Sequence, residues 1–183
     1  RNTAGDAVSS IVKLTDSIGG STLYIEPALA TLDGNRVAIT LQRRQASADA
    51  IILYVVSSDG TAATSVASEL GQMAVDEILD WNNWDVVQLS NKNILAVWEA
   101  YGCYPDEWKA RLRYVVLDPN FNFVAGPLCL PRAATATAGE NFASATADTN
   151  GNGILTWEDL DGGANLYYAL LGGNGELVTS PMI

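Results

Sequence analysis

The feature that most constrains this chain is a threefold internal repeat. Three segments open on an asparagine and continue as an apolar strand: Asn35-Arg-Val-Ala-Ile-Thr, Asn93-Ile-Leu-Ala-Val-Trp and Asn152-Gly-Ile-Leu-Thr-Trp, with the asparagines 58 and 59 positions apart. A tyrosine-bearing strand follows each: Ile52-Leu-Tyr-Val-Val, Leu112-Arg-Tyr-Val-Val and Leu166-Tyr-Tyr-Ala-Leu. Ahead of each asparagine the sequence predicts a first strand, at Ala28 to Leu32, Val86 to Leu89 and Ala143 to Ala147. These close through Asp33-Gly-Asn, Asn91-Lys-Asn and Asn150-Gly-Asn, residues that accept positive φ and so make hairpin turns. A second turn, at Ser58-Asp-Gly, Asp118-Pro-Asn or Gly173-Asn-Gly, leads to a fourth strand at Thr61 to Ser68, Phe123 to Leu130 and Glu176 to Ile183.

Each unit therefore reads as strand, turn, strand, loop, strand, turn, strand, with apolar runs fit for a sheet covered on both faces. Four-stranded antiparallel sheets at this period are the mark of a β-propeller, in which neighbouring blades bury each other's faces. The expected class is all-β, with three four-stranded antiparallel blade repeats at 20–70, 71–130 and 131–183. A β-sandwich also accommodates regular short strands and turns, but it does not require whole units to repeat.

The stretch 1–19, through Asp6-Ala-Val-Ser-Ser-Ile-Val, resembles the fourth strand Val178-Thr-Ser-Pro-Met-Ile. It predicts one extra N-terminal strand carrying Val8 and Ile11. Closed propellers typically have four to eight blades, so three blades and a surplus strand call for further blades of a longer chain or for copies that share a strand along an open edge. The sequence opens on Arg1 rather than Met with no charged-then-apolar leader, as in a processed mature chain or a proteolytic piece.

Composition narrows the function. Ten Lys and Arg against 21 Asp and Glu give a net charge of −11, which repels phosphate backbones and anionic lipid surfaces, so nucleic acid is not an expected partner. No apolar run reaches the length that crosses a bilayer, and no membrane insertion is expected. The absence of histidine removes Ser-His and Cys-His catalytic arrangements and the commonest metal-binding nitrogen. The two cysteines, Cys103 and Cys129, suit either one disulfide in an oxidising compartment or two buried thiols.

Asn152-Gly-Ile-Leu-Thr-Trp-Glu-Asp, Leu166-Tyr-Tyr-Ala-Leu and Leu177-Val-Thr-Ser-Pro-Met resemble the repetitive propeller-like modules of bacterial and archaeal secreted or surface proteins. That resemblance implies an extracellular or cell-surface location and a structural or adhesive role, as a module of a larger assembly or self-assembling filament, rather than catalysis. The first repeat departs from the pattern, with Thr40 where the others carry Trp98 and Trp157.

Candidate sites gather on the rim that holds the loops between second and third strands. Trp98-Glu99, Trp157-Glu158-Asp159 and a loop with Tyr101, Tyr104, Asp106, Glu107 and Trp108 put aromatic rings beside carboxylates, which suits the C–H faces and hydroxyls of a glycan. Trp98 and Trp157 recur in register and read first as packing residues. The loop residues Tyr101, Tyr104, Asp106 and Trp108 are the stronger ligand-binding candidates. Cys103 in this loop and Cys129 at the end of the fourth strand are in reach of a bond at one rim.

Asp148-Thr-Asn-Gly-Asn matches the start of a calcium loop, with Asp148, Asn150 and Asn152 as oxygen donors and Asp159 at the twelfth position, but it equally describes a polar hairpin turn. No cofactor is required, and calcium is the one the sequence suggests. Carboxylate pairs such as Glu99 with Asp106, or Glu158 with Asp161, have the chemistry of a glycosidase acid and base, but are also ordinary on so acidic a surface. The expectation is a chain that is not an enzyme, with a lectin-like glycan-binding propeller as the alternative to the structural or adhesive module and a glycoside hydrolase third. Glu69 to Trp81 has a helix-like spacing of apolar residues and no assigned role.

Overall fold

The computed structural model describes residues 23–44, 49–57, 68–73, 84–103, 109–131, 139–159 and 165–182, and these contain strands and no helix. Twelve strands form three four-stranded antiparallel sheets. The first holds β1 (Leu23–Leu32), β2 (Arg36–Arg44), β3 (Asp49–Ser57) and β4 (Ser68–Met73). The second holds β5 (Trp84–Gln88), β6 (Ile94–Ala100), β7 (Arg111–Leu117) and β8 (Phe123–Cys129). The third holds β9 (Glu140–Ala147), β10 (Gly153–Asp159), β11 (Asn165–Leu171) and β12 (Leu177–Met182). In each, neighbours in sequence are neighbours in the sheet.

The central hairpins share one register. Ile94 faces Leu117 and Trp98 faces Arg113 in the second sheet; Gly153 faces Leu171 and Trp157 faces Tyr167 in the third. Leu112, Tyr114 and Val116 thus correspond to Leu166, Tyr168 and Leu170. The turns behave as their residues dictate. Gly34 and Asn35 both have positive φ in the β1–β2 turn, while Lys92 and Gly151 take the left-handed position in the next two.

β1 lies against β5 and β5 against β9, so the first strands run side by side while the sheets pack through their faces. One apolar cluster joins Leu32, Ala38, Leu53 and Val55 of the first sheet to Trp84, Val86, Ala96 and Trp98 of the second. Another joins Leu95, Val97, Leu112, Tyr114 and Val116 of the second to Leu155, Trp157, Tyr167 and Ala169 of the third. The second sheet is therefore covered on both faces. The three sheets do not close on themselves, so the all-β class and the antiparallel sheets are shown and a propeller is not.

One strand position differs from the sequence reading. The fourth strand of the first repeat was expected at Thr61 to Ser68, yet β4 is Ser68–Met73, paired with the beginning of β3 through Asp49 to Met73 and Ile52 to Glu69. The tight turn expected at Ser58-Asp-Gly and positions 61–67 of the expected strand lie outside the described residues. β4 absorbs Glu69 to Met73, the start of the helix-like stretch; the rest of that stretch lies outside the described residues. So do the N-terminal strand and its Val8 and Ile11.

Candidate functional site

Strand direction gathers one end of β5, β6, β7, β8, β9 and β10 onto a common rim. Three fastenings hold it. Cys103, in the loop after β6, is disulfide-bonded to Cys129 at the end of β8, with Cα atoms 5.7 Å apart. Arg113 of β7 donates from a guanidinium nitrogen to the carbonyl of half-buried Tyr101 at 3.2 Å. Glu99, fully buried, accepts a 2.6 Å hydrogen bond from the backbone N–H of Phe142 in β9.

Beneath the rim lies a second buried carboxylate. Glu140 opens β9 and is wholly buried. One of its oxygens accepts from the N–H of Leu112 at 3.1 Å and the other lies 4.0 Å from the Arg111 guanidinium, itself buried. A buried ion needs such partners, and here they lock β9 onto β7.

A third carboxylate, Asp85, is less enclosed than these two. It is half-buried on β5, a first strand, where Oδ2 accepts from Ser144 Oγ at 3.1 Å and from the N–H of Ala145 at 2.9 Å, and Oδ1 accepts from the N–H of Val86 at 2.8 Å. Three donors fix its orientation beside exposed Ser144. Sequence reasoning missed Asp85, Glu140 and Arg111, because each sits in a strand and only the packing of β5 and β7 against β9 gives it partners. An acidic residue at the start of an otherwise apolar strand was the one available signal.

The sequence-predicted residues divide as follows. Trp98 and Trp157 are buried in successive sheet interfaces, and neither indole N–H has an acceptor among the described residues, so packing holds them. Tyr101 stands on the rim, whereas Tyr104, Asp106 and Trp108 lie outside the described residues, as do Glu107 and Asp161. Asp148, Asn150 and Asn152 share the β9–β10 turn. Asp159 ends β10 at the opposite rim, on the order of 20 Å along the strand.

In that turn Asp148 Oδ1 accepts from the N–H groups of Asn150 and Asn152, both at 2.8 Å, and Oδ2 accepts from Asn152 Nδ2 at 2.8 Å. The β7–β8 turn repeats this pattern around Asp118 with Asn120 and Asn122. The calcium-like spacing is thus met by a self-satisfied turn whose fourth residue is far away. Among the described residues, no group of three or more His, Cys, Asp or Glu is arranged to hold a metal.

No family model matches the chain, and no curated protein matches it. Among solved structures it is similar to Zg3597, a family 117 glycoside hydrolase produced by the marine bacterium Zobellia galactanivorans, with a TM-score of 0.54 and 10% identity over 92% of this chain and 58% of that one. At that identity the likeness shows a shared fold, and the chain spans 58% of the neighbour's length.

This finding corrects two expectations. The structural or adhesive filament module rested on short strand motifs that any hairpin with a packing tryptophan provides, and the chain that is not an enzyme rested on the absence of histidine and on carboxylates ordinary for so acidic a surface. The fold is instead one that a glycoside hydrolase uses, and nothing in the structure or the comparisons indicates adhesion. The disulfide fits an oxidising environment, and no helix among the described residues is long and apolar enough to cross a membrane.

Proposed function

We propose that this chain is a carbohydrate-acting, β-propeller-type module of an exported protein and that its chemistry is glycoside hydrolysis. The observation that carries the reading is the fold shared with a glycoside hydrolase over 92% of the chain. Side-by-side first strands and face-packed sheets support the propeller geometry, and the disulfide supports an extracellular location.

Hydrolysis of a glycosidic bond needs one carboxyl group to protonate the leaving oxygen and a second carboxylate to activate water or attack the anomeric carbon. Asp85 is the carboxylate of choice for the second role. It is less enclosed than Glu99 and Glu140, and its three hydrogen bonds hold it in one orientation, which a positioned base requires. Glu99 and Glu140 are excluded from direct chemistry by complete burial and serve as struts. Tyr101 and the loop residues Tyr104, Asp106 and Trp108 are the proposed glycan contacts, with Asp106 available as the acid.

The test is release of reducing sugar from a panel of polysaccharides and chromogenic glycosides, comparing the wild type with Asp85→Asn. Turnover that falls at least ~100-fold in the variant, with an unchanged melting temperature, supports the reading. Glycan binding without turnover would remove the hydrolytic half of it, and neither binding nor turnover across the panel would overturn it.

A further inference from the structure

The third sheet carries a face, rich in apolar residues, that no other described strand packs against. Ile154, Leu166, Tyr168, Leu170, Val178 and Met182 alternate along β10, β11 and β12 with the residues packed on the second sheet, and so point away from it. Leu166 is 62% and Tyr168 37% exposed, whereas their counterparts in the second sheet, Leu112 and Tyr114, are 0% and 4% exposed. The apolar residues lie on three neighbouring strands, with exposed Ser144 and Thr146 of β9 at their border, and such a contiguous cluster marks an interaction surface. Of the described strand residues on this side, Glu158 is the one acidic or basic residue, in a chain of net charge −11.

The occupant can be read from the interface already formed. The same positions of the second sheet are covered by the opposite face of the third, the one bearing Leu155, Trp157, Tyr167 and Ala169. There Tyr114 also donates its hydroxyl to the carbonyl of Gly175, in the β11–β12 turn, at 3.0 Å. The chain also spans only 58% of its structural neighbour. We propose that the exposed face of the third sheet docks a further four-stranded sheet of this same repeat, presented through its tryptophan-bearing face. Tyr168 then reaches a carbonyl of the incoming sheet's last turn, as Tyr114 does one sheet earlier. A second whole copy of the chain fits less well, because the tryptophan-bearing faces of its second and third sheets are already filled.

The test uses the fact that both cysteines are bonded to each other, so that Leu166→Cys is the single free thiol. The full chain carrying Leu166→Cys is labelled with a maleimide, alone and after extension at its end by a second copy of residues 131–183 or, separately, of residues 71–130. The labelling rate is expected to be that of an exposed thiol in the unextended chain and at least ~10-fold slower in an extended one. Adding Tyr168→Asp in the native third repeat is expected to restore fast labelling of the extended chain while leaving the melting temperature of the unextended chain within ~2 °C. Fast labelling in both extended chains overturns the proposal. So does a slow rate in the unextended chain with a dimer mass by light scattering, which would make a second copy the occupant.

Discussion

The second and third sheets are built from matching strands in the same register, yet they live in different environments. In the second, β6 is buried at every position and β7 at all but Arg113. In the third, β11 alternates between exposed and buried and β12 between exposed and half-buried. The sequence carries the same contrast: Ile94-Leu-Ala-Val-Trp is apolar throughout, while Gly153-Ile-Leu-Thr-Trp places threonine where the second sheet has Val97. A continuous apolar strand signals two covered faces and an alternating one signals a single covered face. Position within the stack, not fold, separates the two sheets.

The comparison breaks most sharply at Leu112 and Leu166. Leu112→Ala removes a side chain enclosed between sheets and is expected to cost about 2–5 kcal/mol. Leu166→Ala, at the matching exposed position, should stay within about 0.5 kcal/mol. Urea denaturation of the two variants measures both, and similar costs would mean that the face of the third sheet is covered after all.

Next in size is the disulfide, which belongs to the second sheet alone. It closes a 26-residue separation, for which chain entropy gives about 3.5 kcal/mol. The Cys103→Ser, Cys129→Ser double variant should lose about that much, with its unfolding midpoint falling accordingly. A loss below about 1 kcal/mol would show that the loop it ties is already ordered by Arg113 and the carbonyl of Tyr101.

How much of this was legible beforehand follows from the range of the interactions involved. Hairpin turns are local: Asp33-Gly-Asn and Asn150-Gly-Asn announce themselves because few residues accept positive φ, and the strands they join fell where expected. Trp98 and Trp157 were readable as packing residues from their recurrence in register. The run of β4 to Met73 was not readable, because Glu69 to Met73 carries a helix-like apolar spacing and only its pairing with β3 makes it a strand. The carboxylates Asp85, Glu99 and Glu140 were the least legible part of the site. Each is defined by a donor on a sheet 28 to 60 residues away in sequence, at Leu112, Phe142 or Ala145.

A smaller effect tests the interface between the two sheets. Gly175 has φ +85°, and a Cβ there would stand 2.5 Å from that of Ala125 in β8. Gly175→Ala combines backbone strain with a clash and is expected to cost about 2–3 kcal/mol. Gly34→Ala, at φ +72° with the nearest atom 4.0 Å away at the end of a flexible arginine, carries strain alone and should cost about 1 kcal/mol. Equal costs would mean that β8 yields to the intrusion. Burial raises the pKa of the Tyr114 phenol, which therefore keeps its proton for Gly175 at any ordinary pH, and Tyr114→Phe should cost about 1 kcal/mol.

The smallest effect concerns a feature the two sheets share. Asp118 and Asp148 both staple a turn, and both carboxyls are held below their ordinary value. For Asp118 the main cause is the side-chain hydrogen bond from Asn122, and for Asp148 it is the backbone N–H of Asn152. A folded-state pKa below the unfolded one stabilises the fold above the unfolded value, and that contribution disappears as pH falls through the folded one. Wild-type melting temperature should therefore drop as pH is lowered from about 5 to about 2, and Asp118→Asn with Asp148→Asn should flatten part of that drop. Because both turns are solvent-exposed and use the same donor pattern, each single variant should flatten it by a similar, small amount. A clearly larger share for Asp118 would mean that being in the doubly covered sheet strengthens even an exposed turn, and the contrast between the sheets would then extend to their edges.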